Sequence, residues 1–578
     1  MAARNQSSKR RAVDGNTQFP GAADRISRRP EFSMAERRQS RPAVAGNPQS
    51  RGGVDRISGL ADDMLGQILS FLPAMEAIRS STLSRRWRRA WTHAPDLKIS
   101  DELHQDRFLD FAGKVVAQYG TPDIPSLNVA IGCQSNLGTA TADWLRRAMA
   151  RVVGSIRVQV DRYAMDDQLV LPRSLQATAM TLDLSTDFFR KPVLIFPQPA
   201  KPGAFNRLSQ LSLSNVKIQI HGFGEFLSST FPELRKLRLN NVHNMTTGDQ
   251  GLWPLVLHTD MLDELEVCVY QLLLLDVVAA KLRLLTVSHS FESLTSLMTA
   301  HTVVTISARR LEAVSWSGRF PKQMTFLTDA RSVRRLACLP VYWPSITRIE
   351  YSLPDVVQFL ETFSAAHQLD VCLDIPETYN PPMLAREDFM GHIPSLPNIR
   401  TLSLTIITIL RLLRCPLGPS VFSFLRRCPN LTLLHIDLST LHQFSRLDRH
   451  RDHLVFLDDD ANNDAAKPNQ GREFDPPLRE SRSVPARKPP KDQVQLGSLQ
   501  KIKISGFVGT DPEMELADLL FGAGTIRPAL ERISISSFAE LSGRMDRIAL
   551  KMKAGFPLAG GRWETSPLKE VTWTKNMD

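Results

Sequence analysis

The sequence predicts an α/β protein: a short three-helix module, then a solenoid of parallel strands on a concave side with helices or loops behind them. Three observations predict it. Apolar residues between Asp55 and Trp91 recur at helical spacing. From Leu208 onward a phrase of the form L-x-x-L-x-L keeps returning, several copies being about twenty to thirty residues apart. Two further stretches, 1–54 and 445–497, carry charge, Pro and Ser in place of large apolar residues. A chain of 578 residues with 42% hydrophobic content accommodates a small module and one large domain. The expected division is a basic tail at 1–54, the helical module at 55–96, the strand solenoid at 97–444, a charged insertion at 445–497 and closing repeats at 498–578.

The tail holds eleven Lys and Arg against four acidic residues, which is most of the chain's net charge of +11. It has too little apolar surface to offset the entropy of ordering, so it is expected to be disordered. Lys9-Arg10-Arg11 is the kind of cluster that is either an import signal or solvated charge. The remainder is near balance, so nucleic acid is not the expected partner. The opening residues MAARNQSSKRR lack the apolar run of a secretory signal. The longest apolar runs, Leu272–Ala280 and Leu402–Leu413, contain Asp276 and Arg411 and are too short to cross a membrane. Six cysteines, at 133, 268, 338, 372, 415 and 428, are scattered without a C-x-x-C and read as reduced core thiols, which suits the nucleus and/or cytoplasm.

Within the module, Leu65, Ile68, Leu69 and Leu72 fall at i, i+3, i+4 and i+7 and form one helical stripe. Asp62 is placed to cap that helix and Pro73 to stop it. A second helical segment follows over Met75–Leu83, and Ser84 is placed to cap a third whose Trp87, Ala90 and Trp91 share a face. Three helices in under about forty residues bury such faces poorly among themselves. The surplus asks for a partner, or for a domain behind it that the hairpin caps.

The ordered string D-R-I-S-x-L-x-D-D-x-L-x-x-I-L-S-F-L-P, followed by S-x-L-S-R-R-W-R-x-x-W, resembles the plant F-box over its whole length. That resemblance implies docking onto a Skp-type adaptor and, through it, a cullin. Carried over by position, the adaptor-binding residues are Leu60, Asp62, Leu65, Ile68, Leu69, Leu72, Pro73, Leu83, Trp87 and Trp91. Ala61 belongs to the same surface and stands where the family usually has Pro. Pro at a helix start pre-sets φ and loses no needed N–H, so Ala61 is expected to weaken this helix end slightly.

Alternating phrases at Leu127–Ile131, Ile156–Val160 and Met180–Leu184 read as strands, with a helical stretch near 142–153 that presents Trp144, Leu145, Ala148 and Val152. This strand–helix–strand spacing predicts parallel pairing through crossovers. Copies of the L-x-x-L-x-L phrase then begin at Leu208, Leu234, Leu262, Leu282, Leu311, Ile346, Ile399, Leu431, Leu499, Leu530 and Leu568. L-x-x-L is also a helical spacing. The x-L-x-L alternation, the turn residues ahead of several copies (Phe231-Pro-Glu, Arg427-Cys-Pro-Asn) and the β-branched later copies favour strands.

The period is that of leucine-rich repeats, irregularly kept. The usual repeat has Asn or Cys three residues after its last Leu, whereas Val216 and Val242 hold those positions here. The irregular leucine-rich repeats that follow plant F-boxes are similar in this respect, and no asparagine ladder is expected. Side chains between the inward ones form the expected target face: Ser212, Arg238, Glu266, Thr286, Ser315, Glu350, Ser403, His435 and Lys503. Arg238, Glu266, Glu350 and His435 are the substrate-binding candidates. Their mixed charge predicts neither an acidic nor a nucleic-acid target.

The insertion, with DRHRDH, Asp458-Asp-Asp460 and RKPPKD, is too long and too polar for a packed loop and is expected to be disordered. Beyond it come a strand, a Gly-containing turn, an amphipathic helix through Leu516, Leu519 and Leu520, and another strand. Ile504-Ser-Gly-Phe507, Glu515-Leu-Ala517, Leu519-Leu520 and Leu530-Glu-Arg-Ile533 resemble the FBD region of plant F-box proteins. That resemblance implies no chemistry for it.

No G-x-x-x-x-G-K-[ST], no G-x-G-x-x-G after a strand, no H-E-x-x-H and no G-x-S-x-G occurs. Gly222-Phe-Gly224 is too short to cradle a phosphate. No catalytic residue, metal or cofactor is expected. The expected function, which the F-box resemblance implies, is a non-catalytic substrate-recognition subunit of a Skp–cullin–F-box ubiquitin ligase. The alternative is a repeat scaffold that binds protein or RNA with help from the basic tail.

Overall fold

The computed structural model describes residues 59–576, apart from 102–104, 133–137, 161–167, 185–191, 198–202, 247–251, 270, 292–300, 328–331, 343–352, 375–392, 408–420, 423, 439–493, 510, 522–524, 527, 538–541, 557, 559 and 567–569. The expected disorder of 1–54, the Lys9 cluster, the Ile346 phrase with Glu350, and Asp458–Asp460 lie outside the described residues.

The module folds as expected in outline. Helix α1 covers Asp62–Leu69, α2 Ala74–Arg79 with a 3-10 turn at Ser80–Thr82, and α3 Trp87–Ala90 with a 3-10 turn at Trp91–His93. Asp62 does not cap α1: Ala61 is the cap residue, and Asp62 instead accepts a 2.5 Å hydrogen bond from Arg86 Nε. The same guanidinium donates to the Leu60 carbonyl, so one arginine ties the start of α1 to α3. A carboxylate beside unpaired helical N–H groups remains favourable as a charge even without a capping geometry. Ser84 Oγ receives the Trp87 N–H at 3.4 Å, as expected of a cap. Pro73 serves less as a stop for α1, which ends four residues earlier, than as the cap position of α2.

Behind the module lies a sheet of seventeen strands. Its first eight are β1 (Asp96–Ser100), β2 (Ile124–Ile131), β3 (Val152–Val160), β4 (Ala179–Asp183), β5 (Gln210–Ser214), β6 (Lys236–Asn240), β7 (Glu264–Cys268) and β8 (Leu284–Ser288). There follow β9 (Ala313–Ser317), β10 (Arg335–Tyr342), β11 (Gln368–Asp374), β12 (Thr401–Ile407), β13 (Leu433–Asp437), β14 (Lys501–Ser505), β15 (Arg532–Ser536), β16 (Gly561–Thr565) and β17 (Glu570–Lys575). From β1 to β15 each strand pairs in parallel with the next in chain order, which is the expected repeat architecture.

The register stacks like on like. Leu97, Leu127, Ile156, Met180, Leu211 and Leu237 are successive Cα partners, and the ladder continues through Leu265 and Leu285 to Ile502 and Ile533. A second ladder two residues along starts at Ile99 and Val129 and reaches Ile504 and Ile535. These side chains are buried, and one apolar cluster runs from Leu65 in α1 to Trp573 in β17. A one-residue slip anywhere would turn a whole strand's apolar set to solvent, which fixes the register.

Three expectations are corrected. The ladder includes β10 and β11, which no phrase read from the sequence marked, because Val333-x-x-Leu336-x-Cys338 and Ala366-x-x-Leu369-x-Val371 carry weaker hydrophobes at their first and last positions. The layer behind the sheet is not only helices and loops. Two four-stranded parallel sheets lie there, one built from Gln168–Val170, Val193–Ile195, Lys217–Ile218 and His243–Asn244, the other from Trp253–His258, Leu272–Val278, Val303–Ser307 and Gln323–Phe326. The run Leu272–Ala280 contributes Leu272–Val278 to the second, with Leu272, Leu275 and Val277 buried and Val278 exposed. Finally, β17 is no further parallel repeat: it pairs antiparallel with β15 and with β16. Val571 and Trp573 still point inward opposite Ile535 and Ile533, because alternation reports a strand's faces but not its direction.

The turns after the strands show what replaces the asparagine ladder. The residue two after the second inward side chain adopts a left-handed backbone in Asn215 (φ 59°), Asn241 (φ 54°), His289 (φ 48°), Gly318 (φ 88°) and Gly506 (φ 73°). Asn and Gly tolerate this region best. Asn215 Nδ2 donates to Asp183 Oδ1 at 3.0 Å, and Asn241 Nδ2 to Asn215 Oδ1 at 2.7 Å. The turn amides of Asn215, Asn241 and His289 each donate to a carbonyl of the following repeat. A short amide ladder therefore exists one residue ahead of the usual place, which leaves Val216 and Val242 free to be fully buried. Gly222 and Gly224 are structural as well. Gly222 is the left-handed cap of the Phe223–Thr230 helix, and a Cβ on Gly224 would meet the Val256 carbonyl at 2.0 Å.

Cys428 is a free, buried thiol, and burial pushes it up to about 12. Asn215→Ala should lower the unfolding free energy by about 2–3 kcal/mol, since it combines left-handed strain with two lost half-buried hydrogen bonds, and Asn215→Gly by about 1 kcal/mol less. Urea denaturation of both variants checks this, and equal losses would remove the backbone contribution.

Candidate functional site: the outer helical surface and the open sheet face

Two surfaces collect the residues singled out from the sequence. On the first, the expected stripe divides. Leu65 and Leu69 are at most 1% exposed and Trp91 is 5% exposed, all within the common core. In this fold their side chains face the chain's own core and are not presented at its surface. The cause is the sheet behind them: α2 lies against β1, and the chain leaves α3 straight into that strand. Tyr119, on the Gln105–Gln118 helix's trailing turn, donates to the Ala94 carbonyl at 2.8 Å, and burial raises its hydroxyl above the ordinary range. The surplus apolar surface of the module is thus partly absorbed by its own chain.

What remains outside is specific. Met64, Ile68 and Phe71 lie at i, i+4 and i+7 on one face of α1 and its exit turn, and they are 51%, 44% and 78% exposed. Leu83, at the end of the 3-10 turn, is 69% exposed. Ile68 and Leu83 were expected from the sequence pattern, while Met64 and Phe71 were not. Their signal was available, since both extend the Ile68 row by one helical turn. Leu60, Leu72, Pro73 and Trp87 are half-buried at the margin, and Ala61 and Asp62 are exposed at the start of α1. Lys98 reaches over this margin, its Nζ 5.9 Å from the Phe71 ring centroid.

On the second surface, the expected face residues do share one row of the sheet. Ser212, Arg238, Glu266, Thr286 and Ser315 are consecutive register partners, and Ser403, His435 and Lys503 are consecutive further along. Ala337 and Asp370 complete the row between them. Sequence reasoning missed both because the phrases of β10 and β11 were missed. Glu350 lies outside the described residues.

Candidates adjacent in the row pair with each other. Arg238 Nε meets Glu266 Oε2 at 2.6 Å, and Lys236 meets Glu264 at 2.8 Å on the same two strands. At the rim, Arg283 sits 3.8 Å from Asp263 and 3.2 Å from Glu312, and its hydrogen bonds hold the Glu312 carboxyl below the usual carboxylate range. His435 is half-buried, with Nε2 2.9 Å from Ser505 Oγ and Nδ1 3.4 Å from Ser403 Oγ. Burial first, then the Lys503 charge, moves its imidazole below the ordinary histidine range. Exposed ion pairs of this kind contribute little stability each. Among the described residues no group of His, Cys, Asp and Glu is placed to hold a metal ion, and no helix is long and apolar enough to cross a membrane.

The division of the stripe sets measurable differences. Leu65→Ala should cost about 2–5 kcal/mol as a core cavity, while Ile68→Ala should stay within about 0.5 kcal/mol. Ala61 already has φ −67°. Ala61→Pro should therefore stabilise the chain by about 0.4–1 kcal/mol through the unfolded state, measured as a shift in the urea midpoint.

Comparison with known proteins places a name on the first surface. The F-box domain family model matches residues 57–98. An F-box/FBD/LRR-repeat protein of Arabidopsis thaliana is 39% identical over 105 residues, 17% of this chain and 24% of that protein. An F-box/LRR-repeat protein of the same plant is 29% identical over 187 residues, 31% of this chain and 37% of its own length. A putative FBD-associated F-box protein, also from Arabidopsis, is 30% identical over 188 residues, covering 31% of this chain and 42% of the relative. The chain thus spans between a quarter and about two fifths of these relatives' lengths. Residues 57–98 match the F-box domain, and the chain that carries them, with its parallel repeat sheet and closing segment, is similar to plant F-box/LRR-repeat and F-box/FBD/LRR-repeat proteins.

Proposed function

We propose that this chain is the substrate-recognition subunit of a Skp–cullin–F-box ubiquitin ligase, in the nucleus and/or cytoplasm. The F-box holds a Skp-type adaptor and, through it, a cullin, while the repeat array holds a target protein. The observation that carries this reading is the exposed row Met64, Ile68 and Phe71 with Leu83, on a domain whose other side is buried in its own chain. Large apolar side chains held on rigid helices are suited to a partner's groove. Each that becomes buried contributes roughly 1.5–3 kcal/mol before the costs of association.

No covalent chemistry falls to this chain in that role. Ubiquitin transfer belongs to a recruited enzyme, and the contribution here is proximity: a target held near the transfer site reacts as if at high effective concentration. Asp62 and Arg86 fix the start of α1 against α3, so the exposed row is presented on a braced element.

Co-purification with a Skp-type adaptor tests the reading. Ile68→Asp with Leu83→Asp should abolish retention by at least about 3 kcal/mol, a hundredfold or more, with the thermal midpoint unchanged because both positions are exposed. Deletion of residues 1–54 should leave retention intact. A folded wild-type chain that retains no adaptor, or retention that depends on the tail and falls steeply with salt, would instead favour a scaffold without ligase function.

A further inference from the structure

Arginine is concentrated in the stretch that carries exposed Leu83. Between Arg79 and Arg89 stand five arginines, at 79, 85, 86, 88 and 89, and no carboxylate. Arg86 is engaged with Asp62 and the Leu60 carbonyl. The other four are exposed, at the end of α2, ahead of α3 and within α3. An apolar docking row accounts for Leu83 but gives these four cations no task.

The same stretch holds four hydroxyl groups in unlike surroundings. Ser80 and Ser81 are half-buried, and their hydroxyls donate to the Ala77 and Ile78 carbonyls. Ser84 Oγ accepts the Trp87 N–H. Thr82 is exposed and immediately precedes Leu83, with its Oγ1 donating to the Arg79 carbonyl at 2.9 Å. Arg79 stands three residues before Thr82 on continuous helical turns, hence on the same face, and Arg85 stands three after it. The turn that carries Thr82 is three residues long and is closed by the Leu83 N–H on the Ser80 carbonyl at 3.0 Å. So short a 3-10 turn opens locally far more easily than the domain unfolds.

An accessible hydroxyl between arginines suits a kinase with an acidic substrate groove, because charge pattern is what such enzymes select. Arg79 and Arg85 would then be charge-assisted donors to the phosphate once it is attached. Thr92 also follows an arginine by three residues, but it is half-buried, its carbonyl holds the Gly120 N–H at 3.0 Å, and no Lys or Arg follows it before Lys98. The consequence for docking comes from Leu83 next door. A partner that covers Leu83 removes water from its neighbour as well. For a neutral threonine that loss is small, whereas a phosphate with nearly two negative charges opposes it strongly.

We propose that Thr82 is the acceptor of a basophilic serine/threonine kinase and that its phosphate switches off adaptor docking at Leu83. Thr82 Oγ1 attacks the γ-phosphorus of the kinase-bound nucleoside triphosphate. The Oγ1–P bond forms as the bond from that phosphorus to the bridging oxygen breaks, the nucleoside diphosphate leaves, and the hydroxyl proton passes to the kinase's base. The switch rests on the role proposed above, since the surface it regulates is the adaptor-docking row.

The test treats the full chain with ATP and a purified basophilic serine/threonine kinase, locates phosphate by peptide mass spectrometry, and compares retention of a Skp-type adaptor before and after treatment. Thr82 should carry phosphate, and retention by the modified chain should weaken by at least about tenfold. Thr82→Val should retain the adaptor equally before and after treatment, and Arg79→Gln should slow modification of Thr82. Both positions are exposed, and an unchanged thermal midpoint shows that the variants are folded. A kinase that modifies other hydroxyls and leaves Thr82 bare, a Thr82-phosphorylated chain that retains the adaptor as tightly as before, or a Thr82→Val chain that loses retention on treatment would each overturn the proposal. The unmodified wild-type chain separates the two readings. If it retains no adaptor, the ligase role falls and the switch falls with it, whereas retention that ignores phosphate on Thr82 removes the switch alone.

Discussion

Every other feature of this chain depends on two ladders of inward side chains, one starting at Leu97 and the other at Ile99, that run rung by rung to the closing hairpin. Each rung buries a large apolar side chain, worth roughly 1.5–3 kcal/mol, but no rung covers itself. The next repeat does that, so the array is stable only as a stack and its two ends need different solutions. At the first end the F-box helices lay Leu65, Leu69 and Trp91 against the same apolar cluster. At the last, β17 and β16 turn the sheet antiparallel and bring Trp573 opposite Ile533. Reversal of direction removes the open parallel edge that a further repeat would otherwise have to cover.

This arrangement explains why the F-box has two unlike sides. A three-helix unit of this size has too little interior for its apolar residues. Here the sheet takes up one side as an end cap, and the row Met64, Ile68 and Phe71 is left over because the sheet lies on the opposite side of α1. Burial and exposure are therefore divided between sequence neighbours of one short amphipathic helix, with Leu65 and Leu69 inside and Met64 and Ile68 outside.

The open face follows from the same ladders. Once the inward rows are in register, the outward rows are too, and residues one repeat apart in sequence become neighbours at strand spacing. Arg238 and Glu266 neutralise each other for that reason, although either alone looks like a binding residue. Lys501, Lys503 and Arg532 have no ion-pair partner among the described residues, because β13 contributes Leu433 and His435 opposite them and β15 contributes Ser534. Burial first, then the Lys503 charge, holds His435 below the ordinary histidine range.

Much of this was legible in the residues. Apart from the Ile346 phrase, which lies outside the described residues, the period-2 phrases from Leu211 to Ile535 named their inward side chains correctly, and the ordered string around Leu65 and Trp87 pointed to the F-box match at 57–98. Less was legible where hydrophobicity thinned, as at Cys338 and Ala366, or where a pattern carries no direction, as at Val571 and Trp573. The left-handed Asn215 and Asn241 were visible as letters, but their role became readable only when adjacent turns brought Asp183, Asn215 and Asn241 into one line. The sequence by itself determined which residues alternate, and hence which are able to face a core, since that depends only on local backbone geometry. Tertiary structure alone decided which side of α1 remains exposed and which charges on the sheet are spent on each other, because both depend on neighbours supplied by other repeats, many residues away in the chain.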